Sequence, residues 1–229
     1  MAYMAIKFFT VSSIKPVVAH LTLSIGNHLA ASNKVLWLVS GGSSAAIAAG
    51  TAKSIDSEGL ENIRNLSVSL IDERFGPVGH NDSNWQQLNK AGFKIKGAQM
   101  LPVLKNVSLV QTAKDYAQFI EKALKEHNYI LGLVGIGADG HTLGIKPDSP
   151  ATKSRGLICA YEWDDYVRLT LAPQAIKKFD EIVAYATGEE KHWVLDDLDK
   201  PISPKQQPAQ YLKTARKLTV YNDYKGTPL

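Results

Sequence analysis

Two rhythms of apolar residues alternate along this chain. Ile14, Val17, Val18, Leu21, Ile25 and Leu29 fall on one helical face, with Ser13 placed as the cap and Pro16 tolerated in the first turn. The run "VLWLV" (35–39) has the length and branching of a buried strand and stops at "SGGSS". "AAIAAGTAKSI" then returns to helical composition, and "LSVSLI" (66–71) reads as a second strand ending at Asp72. Ser108 can cap a helix whose face is Leu109, Ala113, Tyr116, Ala117, Ile120 and Leu124. "YILGLVG", "LICAY", "YVRLTL", "EIVAYA" and "KLTVY" read as further strands, with a helix around "EEKHWVLDDL".

Strands alternating with helices predict crossover units: an α/β fold with a mainly parallel sheet and helices on both faces. No internal repeat interrupts the pattern. The segment "DKPISPKQQP" (199–208) reads as a surface loop rather than a boundary, so the expectation is one domain over 1–229.

Composition narrows this picture slightly. At 229 residues, 45% apolar and 21% charged, the chain can bury a substantial core. The longest apolar run, Tyr129 to Ala138, is well short of the roughly 20 residues of a membrane-spanning helix. The opening "MAYMAIKFFTVSSIK" lacks a basic start followed by a long apolar block, so no secretory signal is expected. A single cysteine, Cys159, excludes an internal disulfide and suits a reducing, cytoplasmic setting; within "GLICAY" it is expected as a buried apolar residue. The net charge of +4 is confined to the end of the chain: residues 200–229 carry six cations against Asp223 alone, a net of +5, so the first 199 sum to −1. Without a basic stripe interleaved with aromatics, neither nucleic acid nor membrane is an expected partner.

Three segments that follow strands carry the candidate chemistry, because ligands of open parallel sheets bind at the strands' carboxyl ends. In "SGGSS" (40–44), glycines permit close backbone approach and the next helix offers an anion-binding N-terminus. The same residues lie one position from a nucleophile elbow, which would make Ser43 an esterase nucleophile with Asp72 or Asp139 and His141 as partners. In "IDERFGPVGHNDSN" (71–84), Asp72 and Arg74 can project from a strand end into the crevice; the alternative is an exposed turn. In "VGIGADGHTLGIKPDSP" (134–150), Gly135, Gly137 and Gly140 bend the backbone around His141, the side chain best suited to accept a proton near neutrality, and Asp139 is close enough to polarise it. No HExxH or Cys/His cluster points to a metal, and no dinucleotide fingerprint to a cofactor.

In order and separation, "SGGSS", "DERFGPVGHNDSN" and "GIGADGHT" resemble the 6-phosphogluconolactonase family, within the group that includes glucosamine-6-phosphate deaminase and, more distantly, ribose-5-phosphate isomerase. "VRLTL" (167–171), "GEEK" (188–191), "PAQYL" and "LTVYND" extend the likeness over nearly the whole chain. The resemblance implies a three-layer, Rossmann-like domain that hydrolyses 6-phospho-glucono-1,5-lactone without metal or cofactor, as a monomer or small homo-oligomer. It implies that His141 is the catalytic histidine and Asp139 the aspartate preceding it. Ser40, Gly41, Gly42 and Ser43 then hold the sugar phosphate, Arg168 and Lys191 complete that site, and Asp72, Arg74 and Gly137 line the same crevice. Where such lactonases continue "DGHTASLFP", this chain reads "DGHTLGIKP". Deaminases place a glutamate near Lys146, so the reversed charge argues against deamination. A deaminase-like enzyme and a sugar-phosphate-binding paralogue without turnover remain the alternatives alongside the Ser43 esterase.

Overall fold

The computed structural model describes residues 6–163 and 166–229; the first five residues of the N-terminal stretch lie outside that range. Eight parallel strands form the main sheet: β1 (Lys7–Thr10), β2 (Val35–Val39), β3 (Leu66–Leu70), β5 (Gln99–Met100), β6 (Tyr129–Gly135), β9 (Glu181–Ala186), β10 (Leu218–Asn222) and β11 (Thr227–Pro228). Their spatial order is β11-β1-β10-β9-β6-β2-β3-β5. Every residue of β2, β3 and β10 is buried, as strands covered on both faces must be, and the unbroken apolar run of β2 is the sequence counterpart. The covering helices are α1 (Lys15–Ala30), α2 (Ser44–Glu58), α3 (Asn84–Lys90), α4 (Leu109–Glu126), α5 (Pro173–Ile176) and α6 (His192–Asp197). No helix among the described residues is long and apolar enough to cross a membrane.

Three strands leave the parallel sheet to form a small antiparallel one: β4 (Asp72–Arg74), β8 (Tyr166–Leu171) and β7 (Ile158–Trp163), in the order β4-β8-β7. "LICAY" and "YVRLTL" are therefore strands as expected, but they form an antiparallel hairpin rather than parts of a crossover unit. Asp72 does not end a strand. The chain passes from β3 through Ile71 straight into β4, with Ile71 and Leu171 bridging the two sheets through a 2.9 Å backbone bond.

Local corrections have simple causes. Ser13 does not cap α1; the N-cap is Ile14 in helical conformation with no side-chain bond, and Pro16 fills the first turn as expected. Ser108 does cap α4, accepting from the Gln111 N–H at 3.2 Å. The buried seam of α4 keeps Tyr116 and Ile120 from the expected face and adds Thr112 and Ala123, with Tyr116 turned inward to donate to the Leu70 carbonyl. Cys159 is half-buried in β7.

The order of strands locates the crevice. From β2 the chain builds outward to β3 and β5; it then returns to the other side of β2 with β6 and continues to β9 and β10. The loops after β2 and β6 thus diverge at the reversal point, where doubly wound sheets leave an opening.

Candidate active site

All the loops nominated from sequence meet at that opening. A cleft of about 240 Å³ is lined by Ser40, Gly41, Gly42, Ser43, Asp72, Arg74, Gly137, His141, Arg168 and Lys191, together with Asn84, Gly135, Ile136 and Leu143. Asp139 stands beside His141 rather than on the wall.

The turn after β2 forms one side. Gly42 takes φ +60°, the left-handed region that glycine tolerates. Its N–H donates to the Gln87 carboxamide at 3.2 Å, and the Ser44 and Ala45 N–H groups bond back to Gly41 and Gly42 at 3.3 and 3.0 Å. The helix N-terminus is thus partly satisfied from within, and Gln87 already holds one of its donors. A side chain at Gly41 would overlap the Asn84 carboxamide, so the glycine lets α3 pack directly against the turn. Ser43 has ordinary helical dihedrals (φ −59°, ψ −22°), without the backbone strain that exposes an elbow nucleophile.

The small antiparallel sheet supplies the cations. Alternation puts Asp72 and Arg74 on one face of β4, and the register pairs them with Thr170 and Arg168 of β8, so all four point the same way. Tyr166 lies beneath both guanidiniums, 4.6 Å from that of Arg74 and 5.2 Å from that of Arg168. Such cation–π contacts hold two like charges side by side. Asp72 is buried next to them. Burial pushes its carboxyl above the ordinary range, opposed by the charges of Arg74, Arg168 and His141 and by an Asn84 bond of 3.2 Å. Lys191 enters from the short helical turn after β9; its ammonium donates to the Thr187 carbonyl at 2.8 Å.

The loop after β6 carries the imidazole. Gly137 donates to the His141 carbonyl at 2.8 Å, and Gly140 to the Gly137 carbonyl at 3.0 Å, closing a tight turn. A methyl group on Gly137 would overlap both the His141 ring and the Asp139 carboxylate, so a side chain there would displace the pair from this arrangement. His141 Nδ1 pairs with Asp139 Oδ1, and the His141 N–H reaches the same oxygen at 3.1 Å. Burial would raise the Asp139 carboxyl, but bonds from His141 and Lys146 outweigh it and hold the group well below the usual carboxylate range. With Nδ1–H donated to Asp139, Nε2 is the basic nitrogen of the neutral ring.

Sequence reasoning missed Asn84, Gln87 and Glu73. Buried Glu73 accepts from the N–H groups of Arg74, Asn84 and Trp85 and from the Ser83 hydroxyl, tying β4 to the start of α3. The signal was present: "SNWQ" (83–86) has capping-box spacing, and Ser83 indeed accepts from the Gln86 N–H at 3.1 Å. The proline-rich segment was also under-read. Most of 199–206 is exposed, but Gln207 is buried against Gly140, Ala209 N–H donates to the Gly140 carbonyl at 2.9 Å, and Asp148 N–H to Lys205 at 2.8 Å. Among the described residues, no group of three or more His, Cys, Asp or Glu side chains converges as metal ligands.

These features define a class: a doubly wound α/β protein with a cationic, histidine-bearing crevice at its strand-order reversal. The chain belongs to the glucosamine-6-phosphate isomerase/6-phosphogluconolactonase family, whose model matches residues 11–221. Among its relatives are 6-phosphogluconolactonases of Homo sapiens, 26% identical over 60% of this chain and 57% of that protein, and of Synechocystis, 30% identical over 65% and 66%. The alignments thus span about three fifths of the human and bovine proteins, 57% and 61%. A crystal structure of 6-phosphogluconolactonase from Thermotoga maritima superposes with a TM-score of 0.79 at 20% identity, covering 95% of this chain and 98% of that one. A monomeric glucosamine-6-phosphate deaminase superposes with 0.75 at 18% identity, covering 94% and 96%. The fold is therefore shared by both activities.

Proposed function

We propose that the protein hydrolyses 6-phospho-glucono-1,5-lactone to 6-phosphogluconate, with the chain from 1 to 229 acting as one catalytic unit. One observation carries this reading: the His141–Asp139 pair faces a cleft whose other walls hold Arg74, Arg168 and Lys191. A sugar phosphate bound by those cations and by the Ser40–Ser43 turn is anchored at a point remote from the reacting carbon. That anchor converts binding energy into orientation of the lactone carbonyl against His141.

Nε2 of His141 takes a proton from water as its oxygen attacks the carbonyl. The tetrahedral oxyanion collapses, the bond from the carbonyl carbon to the ring oxygen breaks, and that oxygen leaves as a hydroxyl with the proton His141 had taken. Asp139 stabilises the transient imidazolium and fixes the ring's tautomer. Positioned general-base help of this kind contributes about 10²–10⁴-fold. Lys146, a cation where deaminases carry a glutamate, favours hydrolysis over deamination.

The test is a coupled assay with freshly prepared phosphogluconolactone, with ammonia release from glucosamine 6-phosphate measured in parallel. Lactone turnover above the spontaneous rate, without ammonia, is expected. Ammonia release, or binding of the lactone without acceleration, overturns the proposal.

A further inference from the structure

Lys146 is not explained by substrate anchoring, because it does not line the cleft. It sits behind the catalytic pair. Its ammonium is 3.1 Å from Asp139 Oδ2 and 3.3 Å from His141 Nδ1, and its side chain is only 20% exposed. The backbone beneath it is held from both strands of the hairpin. The Lys146 N–H donates to the Tyr161 hydroxyl of β7 at 3.3 Å, that hydroxyl donates to the Gly144 carbonyl, and the Gly144 N–H donates to Thr170 Oγ1 of β8 at 3.1 Å. A turn from Ile145 N–H to the Thr142 carbonyl at 2.9 Å completes the brace.

An ammonium has only donors. Since the Nδ1 proton goes to Asp139, Lys146 meets the ring as a point charge rather than as a hydrogen-bond partner. Asp139 alone would favour the imidazolium; a cation at similar distance opposes it. The other ionisable groups facing the ring are Asp72 and Arg74 from β4, Arg168 from β8 and Lys191 from the turn after β9, so positive charge exceeds negative around it.

Resting on the lactonase reading, we infer that Lys146 is a positioning residue: it clamps Asp139 against His141 and sets a positive charge beside the ring's bonded nitrogen.

The experiment compares wild type, K146M and K146R in two readouts: kcat/KM for phosphogluconolactone between pH 5 and pH 7.5, and the His141 Cε1–H resonance in an NMR titration, assigned by its absence in H141Q. In K146M, which removes that charge, both the acid limb and the resonance midpoint should move to higher pH, and K146R should restore both. Neither moving, or a raised KM without displacement, overturns the inference, the latter because it would make Lys146 a substrate contact. K146Q repeats the series should K146M melt early. Full activity in H141Q would instead refute the proposed base, and the NMR shift would still report whether the lysine acts on the ring.

Discussion

Two of the histidine–carboxylate pairs among the described residues lie at opposite ends of the same sheet, and they differ in how open their rings are. At the amino ends of the strands, His20 of α1 has both ring nitrogens engaged, with Glu181 at 3.0 Å and the Tyr221 hydroxyl at 2.8 Å. Glu181 also accepts from Ser24 and Tyr129 and pairs with Lys217. At the carboxyl ends, His141 uses Nδ1 for Asp139, and no partner for Nε2 occurs among the described residues. The residue types are alike. What differs is the backbone beneath them: the first pair rises from a helix and the start of a strand, the second from a glycine turn that gives the ring an open side. A closed polar network rigidifies, whereas one with an available acceptor can react.

The sharpest way to break this comparison is to neutralise each ring. H141Q should lower kcat/KM for phosphogluconolactone by about 10²–10⁴-fold with little change in melting temperature. H20Q should leave kcat within about twofold and lower the melting temperature by a few degrees, as expected for about 1 kcal/mol. Activity loss in H20Q equal to that in H141Q would erase the distinction between the two ends.

An intermediate effect is expected at the anchor. R168A and K191A should each raise KM for the phosphorylated lactone about tenfold or more, in keeping with loss of a charge-assisted bond. Neither should alter hydrolysis of glucono-1,5-lactone, which has no phosphate. Equal losses with both substrates would move these cations from anchoring to the reaction itself.

A further effect, on stability rather than turnover, concerns the closed end. Burial would raise the Glu181 carboxyl, but donors from His20, Lys217, Tyr129 and Ser24 outweigh it and hold it below the ordinary glutamate range. A depressed value means that the network's stabilisation is complete above the unfolded-state value of about 4.3 and is lost as pH falls through the folded-state value. E181Q should therefore be less stable than wild type by about 2 kcal/mol at pH 7, with the gap narrowing below about pH 4. A gap independent of pH, read from urea melts, would show that packing rather than charge holds this end.

Much of this was legible in the residues. Strands buried on both faces announce themselves as unbroken apolar runs, as "VLWLV" and "YILGLVG" did. Glycine, aspartate and histidine clustered at a strand end pointed to the loop that presents His141. The edge strands β5 and β11, and β1 beside β11, were not foreseen, since β5 and β11 have only two residues each and the pairing depends on neighbours distant in the chain. Nor could pattern alone separate "LICAY" and "YVRLTL" from the parallel sheet, because a strand's residue types do not specify its partner. Ser13 failed as a cap although its type suited the role, since the backbone enters α1 one residue later. Gln87 and Asn84 were hidden for another reason: their importance comes from the helix they ride on, which presses against the Ser40–Ser43 turn.

The bonds from Lys205 and Ala209 to the loop carrying His141 change what the proline-rich stretch is for. A segment that resembles a spacer is a strut, joining the final quarter of the polypeptide to the turn that carries His141. A peptide tag inserted there, or a protease cut between Pro204 and Pro208, would slacken the turn and be felt first as weaker turnover, before any loss of the folded sheet.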